Sequence, residues 1–221
     1  MRRVHIICEG QTEETFVNEV LGPHLHRFEV FPCAALVGKP GHKGGNVTTA
    51  RMARDIRLRL LGDPQACCTT FFDFYGLDTS FVGKAEAMNK RTPEDKAREI
   101  ETALRDHVQE QTDDTVIQRF EPYVQMYEFE GLLFSDPAKL ASGVGKTGLA
   151  GNFTTIRNGF GSPEEINDSQ VTAPSKRILA LMPEYDKPLH GSLAALEVGL
   201  DVIRAACPRF NRWVAWMESL R

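Results

Sequence analysis

Val4-His5-Ile6-Ile7-Cys8 runs without a break into Glu9-Gly10-Gln11-Thr12-Glu13, and a junction of that kind leaves few folds open to the chain. A short β-branched run bounded by a turn signal reads as a buried strand. Gly10 permits a turn, and Thr12 with Glu13 and Glu14 opens a helix whose first turn favours carboxylates. Open α/β sheets bind ligands beyond the carboxyl ends of their strands, and the junction delivers Glu9 to that edge. A carboxylate there is costly unless a cation or a proton accompanies it. The plainer alternative is that Glu9 faces water or caps a backbone amide.

The first two-thirds of the chain repeats the alternation. A helix over about residues 12–25 is followed by a strand over 29–37, a glycine-rich loop over 38–46 and a helix over 47–61 with Met52, Ile56 and Leu60 on one face. A third strand spans Cys67 to Phe72. Thr92-Pro93-Glu94-Asp95 then supplies an N-cap, proline at N1 and first-turn acids for a helix carrying Ala97, Ile100, Leu104 and Val108. A fourth strand is expected over 122–129. Units of this length imply an α/β fold, a mainly parallel sheet flanked by helices. Beyond residue 136 the texture changes. Six glycines between 143 and 161 suggest a loop or lid, and Leu189, Leu193, Leu196, Leu200 and Ile203 form a stripe of the kind that faces a core. The expected division is an α/β core over 1–136 and a C-terminal loop and helical extension over 137–221, packed on the core or continuous with it.

Composition narrows the function classes. The 221 residues carry a formal net charge of -4, so any nucleic-acid partner must be met by local patches rather than a basic whole. Five cysteines without a C-x-x-C pair support neither a disulfide scaffold nor a zinc knuckle, and they suit a reducing cytosol. No segment approaches the roughly 20 apolar residues of a membrane span. A cytoplasmic protein without a membrane partner is the expectation.

Asp73 repeats the logic of Glu9: a buried apolar run, one acid at its carboxyl end, and Gly76 shortly after. Two carboxylates at the ends of neighbouring parallel strands lie close, and like charges that close raise one pKa or recruit a divalent cation. Mg²⁺ (or Mn²⁺) takes one or two carboxylates together with water and substrate phosphate. For Asp73 the alternative is an Asx turn closing the strand. Tyr127-Glu128-Phe129-Glu130-Gly131 is a third acidic element, and at strand period Glu128 and Glu130 share a face; either completes a metal site or both point to solvent.

Between Gly38 and Gly62 stand six bases against one acid, among them Lys39, Lys43, Arg51 and Arg54. Glycine-rich backbone before a helix, with arginines on one helix face, suits phosphate; it is equally the pattern of a solvated surface. Lys176, Arg177, Lys187 and His190 make a weaker polar group, with the same two readings. Gly143-Val144-Gly145-Lys146-Thr147-Gly148 matches G-x-G-x-x-G, but no apolar strand leads into it, so a dinucleotide or P-loop site is not credible. No G-x-S-x-G elbow supports triad chemistry.

The segments Cys8 to Glu13, Phe72-Asp73-Phe74-Tyr75-Gly76-Leu77 and Gln125 to Phe134 resemble a bacterial TOPRIM-like family catalogued as a domain of unknown function (4276). Glu165-Ile166-Asn167-Asp168, Pro174-Ser175-Lys176-Arg177 and Cys207-Pro208-Arg209-Phe210-Asn211 add to the likeness, which spans most of the chain. The wider TOPRIM group includes topoisomerases, primases and nucleases of the overcoming-lysogenization-defect type. There a Glu after the first strand and an Asp-x-Asp after the third organise Mg²⁺ for phosphodiester chemistry. The resemblance implies those roles for Glu9 and Asp73, while Tyr75 stands where the second Asp belongs; Asp78, Glu128 or Glu130 would have to substitute.

The expectation is thus a Mg²⁺-dependent nuclease or related phosphodiester-transfer enzyme acting on DNA or RNA. Glu9, Asp73, Glu128 and Glu130 would be catalytic and metal-binding, and Lys39, Lys43, Arg51, Arg54, Lys176 and Arg177 would hold phosphates. The resemblance further implies phage defence and an ATPase partner. The alternative is a non-catalytic nucleic-acid-binding or regulatory subunit of such an ATPase, which Tyr75 favours. Strand transfer through Tyr75 or Tyr127 is a remoter third.

Overall fold

The computed structural model describes residues 1–37, 48–167 and 169–220. Its centre is a parallel sheet in the order β2 (Val30–Leu36), β1 (Arg2–Cys8), β3 (Cys67–Asp73) and β4 (Phe120–Glu121), with β5 (Val124–Gln125) also pairing β3. The fold class is α/β with helices on both faces. All seven residues of β3 are buried, which is what a central strand covered on both sides requires. Cys8 pairs with both Leu36 and Phe71, so the carboxyl ends of β1, β2 and β3 lie level.

Side-chain alternation along β1 separates two cores. Val4, Ile6 and Cys8 join Phe16, Phe71 and Phe129 and the buried faces of the C-terminal helices. Ile7 faces the other way, with Cys68 and Phe72, onto the Thr49–Gly62 and Pro93–Gln109 helices. These helices bury the stripes their spacing implies: Met52, Ile56 and Leu60 in one, Ala97, Ile100, Leu104 and Val108 in the other. Thr92 caps the second, accepting from Asp95 N at 3.1 Å. Because the first core mixes residues of both halves of the chain, 1–136 and the remainder share an apolar interior.

An aromatic cluster locks the last helix, Pro208–Glu218, to the sheet. Trp213 stacks on Tyr123 with centroids 4.5 Å apart, and its indole N–H donates to Thr69 Oγ1 at 2.8 Å. Buried Glu164 caps this helix by accepting from the backbone of Arg209 and Phe210, each at 3.0 Å.

Three expectations need correction. The strand over 122–129 is instead two residue pairs, because Pro122 has no ladder N–H to give and Tyr127, at φ 62°, turns the chain. Thr70 bridges the gap, its hydroxyl donating to Tyr123 O and accepting from Tyr123 N. The glycine-rich stretch is largely helical, in Pro137–Gly143 and Ala150–Asn158. Asp136 caps the first of these, buried Leu140, Ala141 and Phe153 anchor the pair, and Gly143 lets the backbone of Ala194 approach closely. The leucine stripe breaks at Gly199 (φ 81°): Leu200 and Ile203 are buried, while Leu189, Leu193 and Leu196 are exposed. Among the described residues no helix is long and apolar enough to cross a membrane.

Candidate functional site

At the level carboxyl edge of the sheet, acids from four places in the chain gather, and three of them meet one lysine. Glu9 follows β1 directly, and Asp73 is the last residue of β3. Parallel pairing sets them side by side: Glu9 Oε2 accepts from Asp73 N at 3.1 Å. Gly76 makes the space, since a Cβ there would fall 2.1–2.4 Å from the Glu9 carboxylate. Glu13, in the first turn of the Gln11–Phe16 helix, folds back so that Oε2 accepts from Gly10 N at 3.0 Å. Glu130 opens the short Glu130–Leu133 helix and is fully buried.

Lys187 enters from the C-terminal part, on a π-helical turn (Lys187–Gly191) capped by Asp186. Single π turns recur at functional sites. Its ammonium lies 2.7 Å from Asp73 Oδ2, 3.1 Å from Glu13 Oε1 and 3.5 Å from Glu130 Oε2. Three carboxylates therefore share one positive charge, and Glu9 lies beside them within its field. Burial is the main force raising the Asp73 carboxyl well above its ordinary value; Lys187 opposes it, and Glu13, Glu9 and Glu130 add repulsion. Burial likewise raises Glu9 and Glu130, each partly offset by Lys187. For Lys187 burial disfavours the charge, but Asp73, Glu130 and Glu13 outweigh it and hold the ammonium well above the ordinary lysine range. Asp73 Oδ1 is buried with no hydrogen-bond partner among the described residues, and Glu13 Oε1 and Glu130 Oε2 face only the Lys187 charge.

Glu9 and Asp73 thus lie side by side as their sequence positions imply and Glu130 joins them from a helix start, whereas Glu128 does not; its Oε2 accepts from Ser175 N at 2.7 Å. Two members were missed as site residues. Glu13 carried only the signal of an acid in a first helical turn, and Lys187 was one of four scattered polar residues. Tyr75, in place of a second acid, donates to Asn167 Oδ1 at 3.0 Å. Of the suggested phosphate-binding residues, Lys39 and Lys43 lie outside the described residues. Arg54 and Lys176 are exposed and Arg51 is half-buried. Arg177 donates to Thr172 O at 2.7 Å and lies over the Phe160 ring. His190 accepts from Asp186 N, as part of the turn that carries Lys187.

The donor set suits a hard divalent cation: carboxylates only, with oxygens short of partners. Among the described residues, no three His, Cys, Asp or Glu side chains are arranged to hold a metal as they stand, and the Lys187 ammonium lies against Asp73, Glu13 and Glu130. A cation would take Asp73 with Glu9, Glu13 or Glu130 once that ammonium moved aside, and Lys187, about one-third exposed, has solvent to move into.

Fold and site together define a parallel-sheet α/β protein with a buried acid cluster at the carboxyl edge of its central strands. The chain belongs to the family described as a domain of unknown function (DUF4276), whose model matches residues 8–218. No curated protein and no solved structure matches it.

Proposed function

We propose that the chain is a phosphodiester-cleaving enzyme of TOPRIM type, dependent on Mg²⁺ or Mn²⁺ and acting on nucleic acid. The observation that carries this reading is the gathering of Glu13, Asp73 and Glu130 around the Lys187 ammonium at the sheet edge, with Glu9 seated on the Asp73 backbone beside them and oxygens left unsatisfied. A phosphodiester approaching so many carboxylates is repelled unless they are protonated or share a cation, so the charge balance asks for a metal. Bound there, the ion would polarise a phosphoryl oxygen and lower the pKa of a water. Asp73 and Glu130 are its natural holders; Glu9, on the rim and only half-buried, is placed to take a proton from an attacking water. Lys187, once displaced from the acids by the ion, would be the group to meet a developing negative charge on the phosphoryl oxygens.

The test compares nucleic-acid cleavage with Mg²⁺ by wild type, Glu9→Gln and Asp73→Asn. Loss of 10²-fold or more in both variants is expected; equal activity in all three rejects the assignment.

A second reading has one observation in its favour. Lys187 already occupies the place a cation would take, and Tyr75 stands where a second acid would be, as in a sheet that has kept its shape as a nucleic-acid-binding or regulatory subunit of a partner ATPase. Titration calorimetry separates the two: a chain that captures an ATPase yet binds no Mg²⁺ or Mn²⁺ fits the second.

A further inference from the structure

Behind the turn that follows Asp73 lies a cleft of about 800 Å³ that the acid cluster does not use. Tyr75 forms one wall, the Lys84–Met88 helix and Lys96 another, and Asn167 with residues 169–171 the third. Its size is that of ligand clefts generally. Two features mark it as more than a surface groove.

The first is positive charge that no carboxylate among the described residues pairs. Lys84 is only 7 % exposed, and its ammonium sits 3.4 Å from the centroid of the Phe74 ring while donating to Phe74 O. That leaves two of its three N–H groups to place. Lys96 lies close enough to repel it. Among the described residues neither lysine has a carboxylate within ion-pair distance; Asp95 and Glu99, near Lys96 in sequence, pair with Arg98 and Lys90 instead. A buried cation without a counter-ion is costly, and proteins keep one where a ligand supplies the charge. Burial, then Lys96, bring the Lys84 amine down to about 8, with Glu9 only partly opposing. Position is enforced by close packing: a Cβ at Gly83 (φ 75°) would strike Ala103 Cβ at 2.8 Å.

The second is the lining. The exposed side chains of Met88 and Val171 and the Tyr75 ring give apolar walls, while Thr79, Asn167 and Gln170 offer donors and acceptors at the rim. Two adjacent ammonium groups suit a dianionic phosphate. The walls suit a flat, partly apolar body with a polar edge.

We infer that this cleft binds a nucleoside monophosphate unit, its phosphate held by Lys84 and Lys96 and its base lying against Tyr75. The inference rests on the phosphodiester reading for its biological setting: Tyr75 is two residues from Asp73, and Lys84 feels the Glu9 charge, so the unit would be a nucleotide next to the reacting phosphate.

The experiment is calorimetric titration of the full chain, free of metal, with adenosine 5′-monophosphate, thymidine 5′-monophosphate and inorganic phosphate. Wild type is expected to bind both nucleotides at least 10-fold more tightly than phosphate. Tyr75→Leu should remove that margin, and Lys84→Met and Lys96→Met should each weaken nucleotide binding 10-fold or more. At pH 8, buffers of differing ionisation enthalpy should show proton uptake on binding, absent in Lys84→Met. Lys96 is half-exposed, so its variant is an independent test of the phosphate site. No nucleotide binding by wild type, unchanged affinity in the lysine variants, or phosphate binding as well as nucleotide overturns the inference. With neither metal nor turnover involved, nucleotide binding without any nuclease activity sinks the phosphodiester reading alone, and nuclease activity without nucleotide binding sinks this one alone.

Discussion

Replacing Lys187 by Met removes the only cation among the described residues within 3.5 Å of Asp73, Glu13 and Glu130 while keeping most of the side-chain volume. Breaking a buried ion pair from one side costs about 3–5 kcal/mol. Here the lysine is 32 % exposed, and water screens part of the effect, so the lower end, about 3 kcal/mol, is the expectation at pH 8. The pH dependence fixes the cause. Burial raises the carboxyls of Asp73, Glu9 and Glu130 in the fold, so above the unfolded carboxylate pKa, about 4, the native state holds more protons than the unfolded chain. Stability contributed by such groups falls as pH rises, and without Lys187 the fall steepens. The gap between wild type and variant should therefore shrink to about 1 kcal/mol at pH 5, where the acids take up protons instead of repelling one another. Urea unfolding followed by tryptophan fluorescence at pH 5 and pH 8 measures both numbers. Mg²⁺ at a hundred times its dissociation constant should restore about 2.7 kcal/mol to the variant at pH 8. A loss equal at both pH values, or no loss at all, refutes the charge argument; a variant indifferent to Mg²⁺ refutes the metal-binding role of the acids.

Other outcomes follow from the same geometry. Gly76→Ala puts a methyl group into the Glu9 carboxylate and should cost about 1–3 kcal/mol while lowering cleavage at least 10-fold, and a fully active, undisturbed variant would show that Glu9 needs no such seat. Glu164→Ala strips two backbone N–H groups at the start of the last helix of their acceptor; a loss of about 2 kcal/mol in chemical denaturation is expected, and one under about 0.5 kcal/mol contradicts the capping role. Lys84→Met should stabilise the fold below pH 8 by about 3 kcal/mol, because the wild-type amine, depressed to about 8 from 10.5, is charged there at a cost. As pH rises from 8 towards 10.5 the wild type gains stability, so the variant's advantage should fade; an advantage constant with pH would mean that packing, not charge, sets it.

The sheet edge was legible in the chain because strands ending in an acid and followed by glycine occur twice, at Glu9 and Asp73, and parallel pairing brings such ends together. Glu130 was found for a partly mistaken reason: it belongs to a helix start after the Tyr127 turn, not to a strand face shared with Glu128. Glu13 was hidden because a first-turn acid usually answers the helix dipole and nothing more. Lys187 could not be placed from sequence, since 57 residues separate it from Glu130 and only tertiary packing of the C-terminal part carries it back. The glycine-rich helices were missed for a related reason. Glycine weakens a helix locally, yet at Gly143 it is what permits close contact with a neighbour, and burial of Leu140, Ala141 and Phe153 prevails over propensity.

The most direct measurement is an anomalous-scattering map from crystals grown with saturating Mn²⁺. The expected result is a Mn²⁺ peak at a coordination distance of about 2 Å from Asp73 and at least one of Glu9, Glu13 and Glu130, with the Lys187 ammonium drawn away from its 2.7 Å contact with Asp73. An ammonium still seated on Asp73, with no manganese among the four acids, contradicts the account.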